Sequence, residues 1–336
     1  MRAVQVSYAG GPFQLVERDL PEPGPGEVRV RVQACGVCHS DASAKQGGMA
    51  GQRYPIVPGH EIAGVIDALG PAVTGWSVGQ RVGLGWFAGA CGHCTPCRRG
   101  QAMACRNLEI HGVTRDGGYA EFVVGRADAL ALIPDHLSAV EAAPMLCAGV
   151  TTYNALRRCG ARPGAVVGIL GLGGLGHLAL QFAARMGYRA VVVARGPEKA
   201  ALAARLGAAS YVDSTRESPA RALAALGGAE AIIATATDAA AISSLIDGLT
   251  IDGRLIVVGV PHEPITVHAH QILYGRSITG SAGGVAVESE DAMAFSAASG
   301  VRPMVETLPL ERAAEAYERM MAGEARLRVV LTMGDA

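Results

Sequence analysis

Four cysteines between residues 91 and 105 have the spacing of a metal cage. The run Cys91-Gly92-His93-Cys94-Thr95-Pro96-Cys97 sets three thiols two residues apart, and Cys105 follows after seven more. Four thiolates suit tetrahedral Zn²⁺ in a structural site. An iron–sulfur cluster is the chief rival, but the bacterial ferredoxin run shortens its last gap to three residues and follows it with Pro. Here Arg106 follows Cys105. A disulfide framework is the third option, and the spacing suits a metal better. Four protein ligands leave no open coordination position, so such an ion holds a lobe together and does no chemistry.

A second chemical signal is Gly171-Leu172-Gly173-Gly174-Leu175-Gly176, a G-x-G-x-x-G. It directly follows the apolar run Ala165–Leu170 and opens a helical stretch, the context in which the pattern marks a dinucleotide site. The first glycine makes the turn, the second lets the backbone approach a pyrophosphate, and the third permits close helix–strand packing. The helix N-terminus adds partial positive charge for the phosphates. At the end of the next strand an NAD site places Asp or Glu on the ribose hydroxyls. In Val191-Val192-Val193-Ala194-Arg195-Gly196-Pro197-Glu198-Lys199 that position falls on Ala194, with Arg195 next and Lys199 a turn later. The absence of a carboxylate and the presence of two cations favour NADP(H).

Ligand-type residues also occur in Cys35-Gly36-Val37-Cys38-His39-Ser40-Asp41, in Pro58-Gly59-His60-Glu61, and at Cys147 within Pro144–Thr151. A catalytic zinc needs three protein ligands and an open position, and Cys₂His is one known set. Spacing alone leaves open whether Cys38, His60 and Cys147 meet, because a free Cys is often simply a small buried hydrophobe.

The elements that must position these groups read in two styles. Glu27–Val32 alternates with period two, as a half-buried strand does, after a turn-rich approach from Pro21 to Gly26. Short glycine-punctuated strands continue to about Pro134. Near Val150 the pattern becomes strand–helix alternation. Buried strands are predicted at Ala165–Leu170, Ala190–Ala194, Ala231–Ala234 and Arg254–Val260, with helices ending near Met186 and Gly207. That alternation predicts a parallel, doubly wound sheet. The stretch from Leu310 through Met321 is an amphipathic helix stopped at Gly323, and Arg326–Leu331 a closing strand.

The 336 residues call for two domains. A formal net charge of -1 and a pI near 6.8 argue against nucleic acid or an anionic membrane as partner. Gly164–Ala184 lacks charged residues but is broken by five glycines, which fits a strand, a turn and a buried helix rather than a membrane span. No secretion signal opens the chain, and eight cysteines then point to metal-bound thiolates in a reducing cytoplasm.

Taken together, GVCHSD, PGHE, CGHCTPC, DGGYAEF, CAGVTTY and GLGGLG occur in the order and at the separations of one family. Over essentially its full length the chain resembles the zinc-containing alcohol dehydrogenases of the medium-chain dehydrogenase/reductase superfamily, microbial branch. The resemblance implies an α/β protein with a GroES-like, β-rich catalytic domain (1–152 and 288–336, its structural-zinc lobe about 89–107) and a Rossmann cofactor domain (153–287). It implies two Zn²⁺ per chain. Cys38, His60 and Cys147 would bind the catalytic ion, with Glu61 able to exchange in, and Cys91, Cys94, Cys97 and Cys105 the structural one. Asp41 would hold the far nitrogen of His60, and Ser40 would take the alcohol proton. Thr151, His39, Val258, Val260 and Arg328 would meet the cofactor, His39 and Arg328 at its phosphates. Cys35 and Cys159 match no ligand position and are expected to pack. Met49, Trp86 and Phe87 would line an apolar substrate cleft.

The implied reaction is hydride transfer between a small alcohol and the corresponding aldehyde or ketone, in a homo-oligomer. A non-catalytic cofactor-binding protein on the same fold, and an NAD-linked alcohol or polyol dehydrogenase, are the alternatives; the polyol branch tends to carry Glu where this chain has Cys147. One departure stands out. Many members carry His a few residues after the ligand Cys, ending a proton relay, and this chain has Ser43. A hydroxyl is no base near pH 7, whereas imidazole is.

Overall fold

The computed structural model describes residues 1–334, which divide into two compact units. The first comprises Met1–Val150, Gly283–Ala298 and the described residues from Arg302 onward; the second comprises Thr151–Ala282 and Ser299–Val301. The divisions fall at 150/151 and 282/283, against 152/153 and 287/288 expected from sequence, and the first lies inside a helix.

In chain order the first unit supplies β1 (Glu27–Val37), α1 (Asp41–Gln46), β2 (Ile62–Leu69), β3 (Arg81–Leu84), α2 (Thr95–Arg98), β4 (Phe122–Arg126) and β5 (Leu130–Leu132). Val28, Val30 and Val32 of β1 alternate inward, as their period-two spacing requires. From Ala34 onward both faces are covered, so β1 runs five residues beyond the predicted Val32 and carries Cys35, Gly36 and Val37 into the core.

The chain then forms α3 (Ala148–Arg157) and the strands of the second unit. These are β6 (Val166–Leu170), β7 (Arg189–Ala194), β8 (Ser210–Asp213), β9 (Ala229–Ala234), β10 (Leu249–Val257) and β11 (Ser277–Gly280). Helices α4 (Gly176–Arg185) and α5 (Ala200–Arg205) follow β6 and β7. The strands lie in the order β8-β7-β6-β9-β10-β11, every pair parallel. Every residue of β6 is buried, the pattern of a strand covered on both faces. The order reverses beside β6, and in such sheets ligands bind at the carboxyl ends of the strands at that point. The strand predicted at Arg254–Val260 ends at Val257, which leaves Val258 and Val260 in the loop beyond it.

After α6 (Ala286–Ser299) the chain closes the first unit with β12 (Val305–Pro309), α7 (Ala313–Met321) and β13 (Arg328–Thr332). Its larger sheet has the order β12-β13-β1-β2-β3-β5, with β4 also paired to β1. This return places Arg328, distant in sequence, on the strand beside Val37 and Gly36. The charge-free stretch Gly164–Ala184 resolves into β6, the glycine turn and most of α4. Among the described residues no helix is long and apolar enough to cross a membrane.

Candidate active site and cofactor pocket

The first unit brings Cys38, His60, Glu61 and Cys147 together. One donor atom from each lies within 4.8 Å of the others. Cys38 follows the end of β1, His60 and Glu61 precede β2, and Cys147 precedes α3, so three chain segments converge. The Sγ atoms of Cys38 and Cys147 are 3.8 Å apart. A hydrogen bond from the Cys147 thiol, with help from His60 and Arg328 against burial, holds Cys38 well below the usual thiol range. Cys147 is pushed up by the same contact and by burial. A metal ligating both sulfurs would need both as thiolates and would displace any thiol proton between them.

Asp41, at the start of α1, organises the centre. Its Oδ1 lies 2.9 Å from His60 Nδ1, while Oδ2 accepts hydrogen bonds from the Cys38 N–H and the Tyr119 hydroxyl, each at 2.9 Å. Asp41 and His60 are each 1% exposed. With Nδ1 engaged, His60 Nε2 is left buried and without a hydrogen-bond partner, and so is Glu61 Oε2. Buried polar atoms are rarely left unpaired. Such unpaired atoms on residues whose donor atoms cluster with two sulfurs suit metal ligands, and the set fits zinc.

Glu61 is fully buried and ion-paired through Oε1 with Arg328. Burial pushes its carboxyl up to about 7 against the opposing pull of Arg328. Gly36 explains how the carboxylate fits: a Cβ there would stand 1.8 Å from Glu61 Oε2. Sequence reasoning assigned Arg328 to cofactor phosphates and missed this pairing, since nothing local links residue 61 to residue 328. Beside the centre, the Trp86 ring stands edge-on to His60, centroids 4.9 Å apart. Phe87 is instead buried in the core of the unit, as Cys35 is. Cys159, of the second unit, is also buried. Ser40 is half-buried at the N-cap of α1 and its hydroxyl makes no capping bond, Ser43 and Met49 are half-buried, and His39 is exposed.

The second cysteine group behaves differently. Cys91, Cys94, Cys97 and Cys105 also converge within 4.8 Å, around α2. The N–H groups of Cys91 and Asn107 each donate to Cys105 Sγ at 3.3 Å. Backbone N–H groups of Arg106 and Cys97 hold Cys94 down to about 6. No residue of α2 is buried. Among the described residues no further His, Cys, Asp or Glu joins the four sulfurs.

In the second unit a cavity of about 840 Å³ opens at the carboxyl ends of β6 and β7. Gly171, Gly173 and Gly174 line one side; Ala194, Arg195 and Lys199 line another. Gly171 has φ +91, and a Cβ at Gly176 would stand 2.0 Å from the Gly171 carbonyl oxygen, so the first and third glycines are required by the turn and by packing. A Cβ at Gly173 would meet nothing within 4 Å. That glycine leaves bare backbone facing open space, as a pyrophosphate contact needs. Glu217 and Asp238 also line the cavity, and Asp238 is engaged as a helix cap by the Ala241 N–H at 3.0 Å. Thr151, in α3, is buried, Val258 is half-buried, and Val260 is 78% exposed.

Comparison with known proteins agrees with this arrangement. Residues 24–135 match the family described as alcohol dehydrogenase GroES-like domain, and residues 174–298 match zinc-binding dehydrogenase. The chain belongs to the zinc-containing alcohol dehydrogenases of the medium-chain dehydrogenase/reductase superfamily, and it is an oxidoreductase of that family. It is 42% identical over 324 residues to alcohol dehydrogenase notN of Aspergillus sp. (strain MF297-2), covering 96% of this chain and 95% of that one. It is also 42% identical over 334 residues to an alcohol dehydrogenase of Geobacillus stearothermophilus, covering 98% and 99%. The solved structure of the cinnamyl alcohol dehydrogenase SbCAD4 from Sorghum bicolor superposes with a TM-score of 0.90 at 31% identity, covering 98% of this chain and 97% of that one. The fold is therefore GroES-like plus Rossmann, as the resemblance implies, and the family acts on small alcohols and aldehydes.

Proposed function

We propose that the chain is an NADP(H)-linked alcohol dehydrogenase or aldehyde reductase with two zinc ions, one catalytic and one structural. The observation that carries the catalytic assignment is the pair of buried, unpartnered donors, His60 Nε2 and Glu61 Oε2, beside the two sulfurs. Zinc held there by Cys38, His60 and Cys147 supplies Lewis acidity toward an alcohol or carbonyl oxygen, and nicotinamide supplies the hydride chemistry. Asp41 fixes the His60 tautomer and leaves Nε2 as the ligating atom. Glu61, balanced by Arg328, stands as a reserve ligand. The Ser40 hydroxyl takes the substrate proton, and with Ser43 where many members carry a relay His, that proton leaves through water or another group. Cys91, Cys94, Cys97 and Cys105 hold the structural ion.

The cofactor assignment is supported by the cavity rim: Ala194 at the usual carboxylate position, with Arg195 and Lys199 beside it. Trp86 and Met49 form an apolar approach suited to medium or aromatic aldehydes. Eight thiols without a disulfide suit a reducing cytoplasm, and the working form is a homo-oligomer. The test combines metal analysis with initial rates on an aldehyde panel using both cofactors. Two zinc ions per chain, turnover abolished by Cys38→Ala and preference for NADPH are expected. Equal use of NADH would overturn the cofactor assignment, and a metal-free active chain the mechanism.

A further inference from the structure

The segment carrying Arg195 is held from the neighbouring strand. β7 and β8 are parallel, and their register sets Ala194 against Asp213 and Val192 against Tyr211. Immediately beyond β7 the chain turns at Gly196, whose φ of +76 lies in the left-handed region. Both peptide groups flanking this turn are gripped by β8. The Gly196 N–H donates to Asp213 Oδ1 at 2.9 Å, and the Tyr211 hydroxyl donates to the Gly196 carbonyl at 2.5 Å. Asp213 Oδ1 also accepts from the Thr215 N–H at 3.0 Å and its hydroxyl at 2.7 Å. Asp213 is 9% exposed as a residue, and Arg216 Nε stands 3.5 Å from Oδ2, which accepts no hydrogen bond. The charge of Asp213 is thus spent on the turn and on Arg216.

An exposed arginine loses considerable side-chain and backbone freedom when it meets an anion. Anchoring its backbone beforehand removes part of that cost, so pre-organisation appears as affinity. Arg195 lies one residue before the clamped glycine and lines the cavity, as do Lys199 and Ser214 next to Asp213. We propose that Asp213 and Tyr211 are positioning residues that hold Arg195 at the ribose end of the cavity and thereby set the discrimination between phosphorylated and unphosphorylated dinucleotides. The inference rests on the NADP(H) reading given above. Neither residue touches the phosphate; each acts through the Gly196 peptide groups.

The experiment measures equilibrium binding of NADPH and NADH, and of adenosine 2′,5′-bisphosphate against adenosine 5′-phosphate, to the zinc-loaded protein by calorimetry. Asp213→Ala should reduce the NADPH/NADH affinity ratio by about tenfold, the scale of one charge-assisted contact, while NADH affinity changes little. Asp213→Asn, whose amide oxygen still accepts from Gly196, should restore most of the ratio, and Tyr211→Phe should lose part of it. Equal weakening of both cofactors would mean that Asp213 merely supports the fold, and an unchanged ratio would mean that the turn positions itself; either overturns the proposal. If Asp213→Ala does not fold, Tyr211→Phe decides, with an unchanged ratio overturning the clamp. Arg195→Ala separates the two levels. A wild-type ratio near one, or one insensitive to Arg195→Ala, sinks the NADP(H) reading itself; loss with Arg195→Ala but not with the clamp variants sinks only the clamp.

Discussion

Gly36→Ala tests whether the Glu61–Arg328 pair is a structural element of the metal centre. The added methyl would stand 1.8 Å from Glu61 Oε2 and 2.8 Å from Cδ, so the carboxylate must move while β1, paired to β13, stays. Both partners are buried, Arg328 at 4% exposure and Glu61 at 0%, and Arg328 Nε already lacks a hydrogen-bond partner. Breaking a buried pair by removing one partner costs about 3–5 kcal/mol. Displacement keeps both charges nearby, so the low end applies. Against it stands the roughly 0.5–1 kcal/mol that Ala ordinarily gains over Gly inside a strand. The net expectation is a loss of roughly 2 kcal/mol. Hydrogen exchange of the β1 and β13 peptides in the zinc-loaded protein reads this locally, without treating a two-unit metalloprotein as a two-state folder. In a Glu61→Ala/Arg328→Met background the carboxylate clash and the pair are both gone, only the 3.0 Å approach to the residue-61 Cβ remains, and the same substitution should cost clearly less. An equal loss in both backgrounds, or none in the wild type, would refute the reasoning.

Cys94→Ser should unfold the lobe around α2, because a metal held there would couple its binding to folding; a soluble variant with a native exchange pattern over 89–107 would contradict it. His111 is buried, Nδ1 sits 2.8 Å from the Gly85 carbonyl, and burial pushes its pKa from 6.5 down to about 4. The unfolded chain takes up this proton below pH 6.5 while the native chain does not, so stability is intact above 6.5 and falls by about 3 kcal/mol toward pH 4. His111→Gln, which keeps a donor for Gly85, should flatten the urea-midpoint profile between those limits; an unchanged slope would discount the residue. Ser43→His should lower the pH at which alcohol oxidation reaches its plateau, since a positioned general base contributes ~10²–10⁴-fold. If that profile stays put while His39→Ala flattens it, His39 holds the relay instead.

What the sequence disclosed follows the range of the interactions. Local periodicity placed β6, α4 and the glycine turn between them, because burial on both faces writes a continuous apolar run and the turn demands glycine. The four-cysteine lobe was legible for the same reason: its ligands lie within one loop. Cys38, His60 and Cys147 could be joined only through the family resemblance, since 109 residues separate the two sulfurs. Arg328 shows the limit. Its place beside Glu61 comes from the return of β13 to the edge of β1, a long-range pairing that leaves no local pattern. Gly36 likewise reads as an ordinary strand glycine until Glu61 is set against it. β8, short and with only Val212 and Asp213 buried, gave no strand signal, although it carries Tyr211 and Asp213.

The chain holds only two tryptophans, Trp76 and Trp86, both in the first unit. Trp76 donates its indole N–H to the Ala127 carbonyl at 3.1 Å, while Trp86 meets the His60 ring edge-on. The protein thus carries an optical gauge of its own metal centre. Zn²⁺, with a filled d shell, is spectroscopically silent, whereas Co²⁺ in the same ligand set absorbs visible light and quenches a neighbouring indole. Exchanging one ion for the other should darken Trp86, which meets His60 directly, so occupancy of the His60 centre can be followed by emission in the native chain and without a label.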